Sequence, residues 1–310
     1  MVALLFPGQG SQFVGMGADL ADAYPAARHA FEEADDALGT ALSRVMWEGP
    51  EEELTATLNA QPAILAHSVA AYRVLEPAIG EVSFAAGHSL GEFSAHVAAG
   101  TIGFADALRL VRRRGEAMYD AGLERPGTMA AVIGLDDEAV AAVCAEVGAT
   151  WGVVVAANYN APGQVVISGE VGAVDAAREA LTDAGARRAL PLNVSGAFHS
   201  PLMEPAAAVL EAALEEVAFA DPAFPVISNV TAQPVAESAA AKRLLVEQLT
   251  SPVRWVAGIQ TLRSAGVGRF LEIGPGNVLT GLLRRIDRDA EGSALGTAAA
   301  AREALASASA

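Results

Sequence analysis

The chain has 310 residues, 52% of them hydrophobic, with a formal charge of −17 and a pI near 4.6. So acidic a chain repels phosphate backbones, which excludes nucleic acid as an expected partner. No stretch reaches the roughly 18 apolar residues of a membrane span, and the first residues show no leader, so we expect a cytoplasmic protein with no membrane partner.

Short apolar runs alternate with longer amphipathic stretches in the first part of the chain. The run VALLF is followed by helical patterns over residues 17–76, then by VSFAAG and a helical stretch from Leu90 to about Met118. This alternation predicts an α/β fold with a mostly parallel sheet.

From Gly127 to Leu192 the pattern changes to the order β-α-β-β-α-β. The segments TMAAVIGL, GVVVAANYN, GQVVISG and RRALPLNV are typical of strands, and residues 136–147 and 171–184 of helices. The single cysteine, Cys144, shares an apolar helix face with three valines, which predicts packing in a core. The order is that of a ferredoxin-like unit, so we predict an insert at 127–195 between two parts of a catalytic core, 1–126 and 196–290.

After the insert, FPVISNVT and GRFLEIGPG predict two more strands of the core. Residues 291–310 are rich in alanine and predict a frayed helix or a disordered tail.

A glycine-rich loop follows the first strand, in LLFPGQGSQFVGMG. It does not fit a phosphate loop, because Phe13 stands where a dinucleotide fingerprint has its third glycine and Met16 replaces the lysine of a Walker motif. A non-catalytic nucleotide-binding module is therefore disfavoured.

The segment FAAGHSLGEFSAHVAAG contains G-x-S-x-G, formed by Gly87, Ser89 and Gly91, between a predicted strand and a predicted helix. This is the setting of a nucleophile elbow, in which flanking glycines permit a sharp turn that exposes the serine hydroxyl. We interpret Ser89 as a nucleophile; a plain strand-to-helix turn is the alternative.

A serine nucleophile needs a base, and the chain has five histidines. His199 is the favoured one, because it lies in the loop segment NVSGAFHSPLMEP just where the insert ends, although a buried structural histidine is the alternative. Backbone donors for an oxyanion would be the N–H of Leu90 and, in the FPGQG loop, the N–H of Gln9.

Seven motifs in order along the chain carry a family resemblance: FPGQGSQ, GHSLGE, RRRGEAM, YNAPGQVVISG, AFHS, QLTSPVRW and EIGPGNVLTGL. Together they resemble the malonyl-CoA:acyl carrier protein transacylases, a family that includes the acyltransferase domains of polyketide synthases. The resemblance implies a hydrolase-like α/β core with a ferredoxin-like insert. It also implies ping-pong transfer of malonyl from coenzyme A, through a serine ester, to the phosphopantetheine thiol of an acyl carrier protein, in fatty-acid or polyketide synthesis.

By that resemblance Ser89 is the nucleophile, His199 the base, and Gln9 and Leu90 form the oxyanion hole, while a carbonyl of Gln248 orients the histidine. The resemblance implies no metal and no cofactor besides the two substrates, malonyl-CoA and the carrier protein, and we expect a monomer.

The family's ligand for the substrate carboxylate matches Arg114, whereas the residues alone leave Arg112, Arg113 and Arg114 open. Phe198 resembles the malonyl-selective pattern, in which an aromatic ring fills the space of an α-methyl branch.

His96 departs from the apolar residue that is common in relatives. The rival function is a serine hydrolase, but such enzymes often place their histidine near the end of the chain, and none follows His199 here.

Overall fold

Residues 1–308 of the chain, which a computed structural model describes, contain two separate β-sheets. The strands in chain order are β1 (Val2–Phe6), β2 (Phe84–Gly87), β3 (Gly127–Ile133), β4 (Val154–Ala161), β5 (Gln164–Glu170), β6 (Arg188–Pro191), β7 (Val226–Ile227), β8 (Pro234–Val235), β9 (Arg269–Glu272) and β10 (Glu291–Ala294).

The helices are α1 (Ala18–Ala23), α2 (Pro25–Leu38), α3 (Leu42–Glu48), α4 (Glu51–Thr55), α5 (Thr57–Ile79), α6 (Gly91–Ala98), α7 (Phe104–Glu124), α8 (Asp137–Trp151), α9 (Val171–Asp183), α10 (Glu204–Glu215), α11 (Ser238–Glu247), α12 (Trp255–Ser264), α13 (Val278–Ile286) and α14 (Ala298–Ala308). A 3₁₀ turn covers Pro201–Met203. No helix within residues 1–308 is long and apolar enough to cross a membrane.

The larger sheet has the strand order β10-β9-β1-β2-β7-β8 and is parallel except for its last pair. Its central strand β1 has no exposed residue from position 3 to position 6, as expected for a strand covered by helices on both faces. Phe6 pairs with Gly87, so β1 and β2 end side by side and the two loops that follow them meet.

The smaller sheet, order β4-β5-β3-β6, is antiparallel. Helices α8 and α9 contribute to its core, where Cys144 is buried among valines and alanines and burial raises the pKa of its thiol to about 12. The predicted α/β class, with a mostly parallel sheet and a ferredoxin-like unit, is confirmed. We call residues 127–191, which hold this sheet and its two helices, the insert.

The insert is joined to the rest of the chain at its two chain ends and at the β4 edge of its sheet. The chain enters the insert through β3 and leaves it after β6, and these two strands are paired. At the β4 edge, Tyr159 N–H donates to the Val253 carbonyl at 2.9 Å and Val253 N–H donates to the Ala157 carbonyl at 2.8 Å.

The single helical stretch predicted from Leu90 to Met118 is wrong. Two helices, α6 and α7, occupy this region, because Gly100 adopts a left-handed backbone with φ 72° just after α6 and stops it. The strands predicted from RRALPLNV and FPVISNVT are also shorter, covering only β6 and β7.

Of the frayed helix or disordered tail predicted for residues 291–310, the helix is present as α14, but it is packed rather than frayed and a strand precedes it. Residues 291–294 form β10, which pairs in parallel with β9, and α14 packs on α5 through buried Ala298 and Ala301. His67 Nε2 lies 2.9 Å from the Gly296 carbonyl and holds the connecting turn. Small alanine side chains let two helices approach closely, which a reading of local composition misses. Residues 309 and 310 lie outside the described residues.

Candidate active site

The elbow between β2 and α6 presents Ser89 at a sharp turn with φ 50°, a left-handed conformation that is strained for serine. A Cβ on Gly87 would lie 1.9 Å from the Gly91 carbonyl carbon, and a Cβ on Gly91 would lie 2.0 Å from the Phe6 carbonyl oxygen. Both positions therefore accept only glycine, and the turn packs tightly enough to keep Ser89 at its apex.

His199 meets Ser89 directly: the Ser89 Oγ and the His199 Nε2 are 2.8 Å apart. On the other side of the ring, Nδ1 lies 2.8 Å from the backbone carbonyl of Gln248. A carbonyl can only accept, so Nδ1 carries the proton and Nε2 is free to accept from the Ser89 hydroxyl. Burial, helped by the nearby Arg114 charge, lowers the pKa of His199 to about 3, which keeps the imidazole neutral.

The other four histidines stay away from the Ser89 hydroxyl. His29 is exposed, His67 binds the Gly296 carbonyl, and His88 Nε2 lies 2.7 Å from Asn160 Oδ1. His96, the departure from relatives, is buried with its Nδ1 3.3 Å from Thr101 Oγ1, and burial lowers its pKa to about 4. His199 is therefore the histidine that the fold brings to Ser89.

Arg114 is 1% exposed and points into the same site. Its Nη1 donates to Gln61 Oε1 at 2.6 Å, and its Nη2 donates to Gln248 Oε1 at 2.9 Å and to Ser89 Oγ at 3.2 Å. Its Nε is buried and has no partner within residues 1–308. Burial lowers the pKa of the guanidinium to about 10, so it remains a cation at neutral pH.

The two neighbouring arginines serve elsewhere. Arg112 is half-buried and donates to Asn59 Oδ1 at 2.8 Å, whereas Arg113 is exposed and lies 3.6 Å from Glu216. Only Arg114 of the three reaches Ser89.

A cavity of about 360 Å³ opens over these side chains. Ser89, His199 and Arg114 line it together with Met129 and Val166 of the insert. The other lining residues are Gln9, Gly10, Gln12, Thr55, His88, Leu90, Met118, Asn158, Asn160, Leu192, Asn193, Val194 and Phe198. The lining mixes polar and apolar side chains around the buried Arg114 cation.

The glycine-rich loop after β1 approaches the elbow closely. A Cβ on Gly8 would lie 2.3 Å from the His88 carbonyl oxygen, so glycine is required where the loop passes the elbow. Gln9 and Leu90 both line the cavity beside Ser89, and the Gln9 side-chain oxygen accepts from Thr57 Oγ1 at 3.0 Å. This places the two predicted oxyanion donors on adjacent loops of one cavity.

Asn229 holds the elbow through hydrogen bonds to its backbone. The sequence patterns did not identify this residue. Its Oδ1 accepts from the Ser89 N–H at 2.7 Å and its Nδ2 donates to the Gly87 carbonyl at 2.7 Å. It lies 140 positions from Ser89, at the end of the segment read only as a strand. The available signal was an amide just after the apolar residues of FPVISNVT.

The sequence patterns also did not identify Glu92 and Gln61 as residues near the site. Glu92, the last residue of GHSLGE, is 1% exposed, and its Oε2 accepts from Gln248 Nε2 at 2.6 Å and from the Asn229 N–H at 3.2 Å. Burial raises the pKa of Glu92 to about 7. Gln61 is fully buried in α5, where it donates to Thr57 Oγ1 at 2.9 Å. Buried polar residues on apolar helix faces were the missed signal.

Comparison with known proteins gives the same family over the whole chain. The acyl transferase domain family matches residues 3–301. A malonyl CoA-acyl carrier protein transacylase of Bacillus subtilis strain 168 is 49% identical over 287 residues, covering 93% of this chain and 90% of the relative. That of Escherichia coli K12 is 47% identical over 304 residues, covering 98% of each.

Solved structures agree with the sequence relatives. A malonyl-transacylase in complex with its type II polyketide synthase acyl carrier protein has a TM-score of 0.95 and 47% identity, covering 99% of both chains. An acyl carrier protein S-malonyltransferase from Vibrio cholerae has a TM-score of 0.94 and 45% identity, covering 97% of this chain and 99% of that one. The similarity therefore spans both the core and the insert, and the chain belongs to the malonyl CoA-acyl carrier protein transacylase family of acyl transferases.

Proposed function

We propose that this protein moves a malonyl group from malonyl-CoA to the phosphopantetheine thiol of an acyl carrier protein, through an ester on Ser89. The observation that carries the proposal is the buried Arg114 cation, whose Nη2 lies 3.2 Å from the nucleophile oxygen. A carboxylate at the far end of a short acyl group would pair with that cation, and simple ester cleavage has no need of it.

In the first half-reaction the Ser89 oxygen attacks the thioester carbonyl carbon while His199 Nε2 takes the hydroxyl proton. The backbone N–H groups of Gln9 and Leu90 stabilise the resulting oxyanion. The carbon–sulfur bond then breaks, the electron pair leaves with coenzyme A, and His199 returns its proton to the departing thiolate. The malonyl ester of Ser89 and free coenzyme A are the products.

The second half-reaction runs through the same groups in reverse. His199 takes the proton of the carrier thiol, the sulfur attacks the ester carbonyl, and the bond to the Ser89 oxygen breaks. The serine recovers its proton from His199. No metal ion or cofactor enters either half, and a carrier protein and malonyl-CoA are the proposed partners, in the cytoplasm.

Arg114 has two effects: it selects an acyl group that carries a carboxylate, and it makes the basicity of His199 depend on that carboxylate. Its Nη2 group, beside the Ser89 oxygen, offers N–H donors from which a malonyl carboxylate would accept hydrogen bonds. The bound carboxylate would also offset the charge that helps hold the pKa of His199 low. The imidazole therefore becomes a stronger base when the correct acyl group is present.

Phe198 lines the cavity next to His199, and its side chain is 6% exposed. Its fixed ring would occupy the space of an α-methyl branch, so we infer a preference for malonyl over branched acyl groups.

The test is to weigh the intact protein after incubation with malonyl-CoA, isolate the acyl-enzyme, and divide it between buffer and buffer containing holo acyl carrier protein. We expect a single malonyl adduct that persists in buffer and is discharged rapidly to the carrier thiol. Loss of the adduct to water at the same rate in both portions would instead make the protein a serine hydrolase.

A further inference from the structure

A buried carboxylate lies behind the catalytic residues and takes no part in the steps above. Glu92 is 1% exposed and is not among the residues that line the cavity. Gln248 Nε2 donates to Glu92 Oε2 at 2.6 Å, and Gln248 Oε1 accepts from Arg114 Nη2 at 2.9 Å. The Gln248 amide thus forms a bridge between an internal anion and the cation in the cavity.

The orientation of that amide follows from what its neighbours can do. The guanidinium of Arg114 can only donate, and an ionised Glu92 can only accept, so the amide oxygen must face the arginine and the amide nitrogen must face the glutamate. The second amide hydrogen goes to the Ser89 carbonyl at 3.0 Å, a longer and uncharged contact. The contact to the Glu92 oxygen is the shorter of the two, so it contributes more to the orientation.

The orientation matters because two amide oxygens hold the guanidinium. Gln61 Oε1 accepts from Nη1 and Gln248 Oε1 accepts from Nη2, which fixes the plane of the Arg114 guanidinium. A Gln248 amide that turned over would present its hydrogens to the arginine and repel it. Part of the free energy of carboxylate binding would then be used to order the arginine side chain.

We propose that Glu92 is a positioning residue for acyl-group selectivity, acting through the Gln248 amide to hold Arg114 in the orientation that receives a carboxylated acyl group. This inference rests on the proposed function. It goes beyond it in assigning selectivity to a residue that does not touch the substrate.

Three substitutions at position 92 test separately the position of the acceptor oxygen, the negative charge and the side-chain volume. A single oxygen of Glu92 accepts both bonds, so the amide oxygen of Glu92→Gln can replace it without the charge. Glu92→Asp keeps the charge but withdraws the oxygen by one methylene. Glu92→Leu removes the acceptor and keeps the volume. The readout is the ratio of kcat/KM for malonyl-CoA to kcat/KM for acetyl-CoA, because acetyl has no carboxylate for Arg114.

We expect Glu92→Asp and Glu92→Leu to lower that ratio at least about tenfold, and Glu92→Gln to keep it within about threefold of wild type. Glu247→Gln is the matched control, since Glu247 precedes Gln248 but pairs with Arg243 on the surface. Equal losses for malonyl and acetyl in Glu92→Asp would overturn the proposal and leave Glu92 a purely structural residue. An equal loss of ratio in Glu92→Gln and Glu92→Asp would overturn it as well.

A double-mutant cycle checks that the effect passes through Gln248. In a Gln248→Leu background, Glu92→Leu should change the malonyl-to-acetyl ratio by less than about twofold; a further tenfold loss would mean that Glu92 acts by another route. If Glu92→Leu does not fold, the malonyl-to-acetyl ratios of Glu92→Gln and Glu92→Asp still test whether Glu92 contributes to selectivity. A wild-type protein that shows no malonyl preference would refute the proposed function itself, whereas a wild-type preference that survives Glu92→Asp refutes only this inference.

Discussion

Ser89 and His199, whose side chains meet at 2.8 Å, both have a left-handed backbone, with φ of 50° and 57°. Within residues 1–308 only one other non-glycine residue, Ala232, has a positive φ. Such conformations cost about 1–3 kcal/mol each and persist where the surroundings enforce them. Asn229 enforces the first by bridging Ser89 N–H and the Gly87 carbonyl, and the Gln248 carbonyl holds the ring of the second.

Ser89→Ala is expected to abolish the malonyl adduct while leaving the fold intact, because the elbow keeps its backbone and loses only one hydroxyl. Intact-protein mass after incubation with malonyl-CoA measures the adduct, and circular dichroism checks the fold. Ser94→Ala is the matched control, since Ser94 lies on α6 with a buried hydroxyl that has no partner within residues 1–308. A malonyl adduct on Ser89→Ala would place the nucleophile elsewhere.

Arg114→Ala should change which acyl group is loaded. It removes charge-assisted hydrogen bonds worth roughly 1.5–3 kcal/mol each, so malonyl loading should fall at least about tenfold. Acetyl loading should stay level or rise, because acetyl leaves the cation unpaired in the wild-type cavity. Loading rates from both thioesters, with the exposed Arg113→Ala as control, test this. Proportional losses for the two substrates would mean that Arg114 supports the fold rather than selectivity.

Phe198→Ala should widen the acyl preference. Removing the ring beside His199 opens room for a branch, and one methyl group in a tight pocket changes discrimination by about 1–3 kcal/mol. We expect the ratio of methylmalonyl to malonyl loading to rise about tenfold. Competition between the two thioesters, read by mass, measures the ratio. Phe13→Ala, at a position that is 48% exposed, should leave it unchanged, and an unchanged ratio in Phe198→Ala would assign the selectivity to other walls of the cavity.

The fold should lose stability on mild acidification. Burial lowers the pKa of His67 and His96 to about 4 and that of His199 to about 3, and it lowers the pKa of His88 in the same direction. Below pH 6.5 the unfolded chain therefore binds more protons than the folded one, and the free energy of unfolding falls. Glu92 has the opposite effect on the free energy of unfolding, because its pKa is raised to about 7 and the folded chain therefore binds its proton more readily. It is one group against four histidines. The net loss between pH 7 and pH 5 should be on the order of 3 kcal/mol.

Urea unfolding at the two pH values measures this loss. His96→Leu should reduce the pH-dependent part by about 2 kcal/mol, because His96 then no longer gains a proton on unfolding. His29→Leu, at an exposed position, is the control. A pH dependence that is the same in His96→Leu and wild type would show that His96 is not neutral in the folded protein.

The parts of this protein that could be predicted were those that depend on short stretches of sequence. Alternating apolar and amphipathic segments gave the sheet class, and the flanking glycines marked Ser89 as the apex of a turn. The end of the insert drew attention to His199. Choosing Arg114 from three consecutive arginines needed the family resemblance, because helical position alone does not tell which side chain a distant serine will meet.

The parts that sequence reasoning missed depend on contacts between distant segments. Asn229 lies 140 positions from the serine whose backbone it holds, and Glu92 is linked to Arg114 by hydrogen bonds through a third residue, Gln248. The alanine-rich end was misread for the same reason. Its composition is that of a loose tail, but α5 provides the surface on which α14 packs.

The hydrogen bonds between Val253 and β4 have a consequence for substitutions in the segment that contains Gln248. Val253 comes five residues after Gln248, whose backbone carbonyl lies 2.8 Å from His199 Nδ1, so one short segment both orients His199 and holds β4 of the insert. A substitution that shifts this segment is therefore expected to move the His199 ring and the insert together. Substitutions of cavity residues such as Met129 and Val166 leave those hydrogen bonds in place, which makes them the more direct way to change the shape of the cavity.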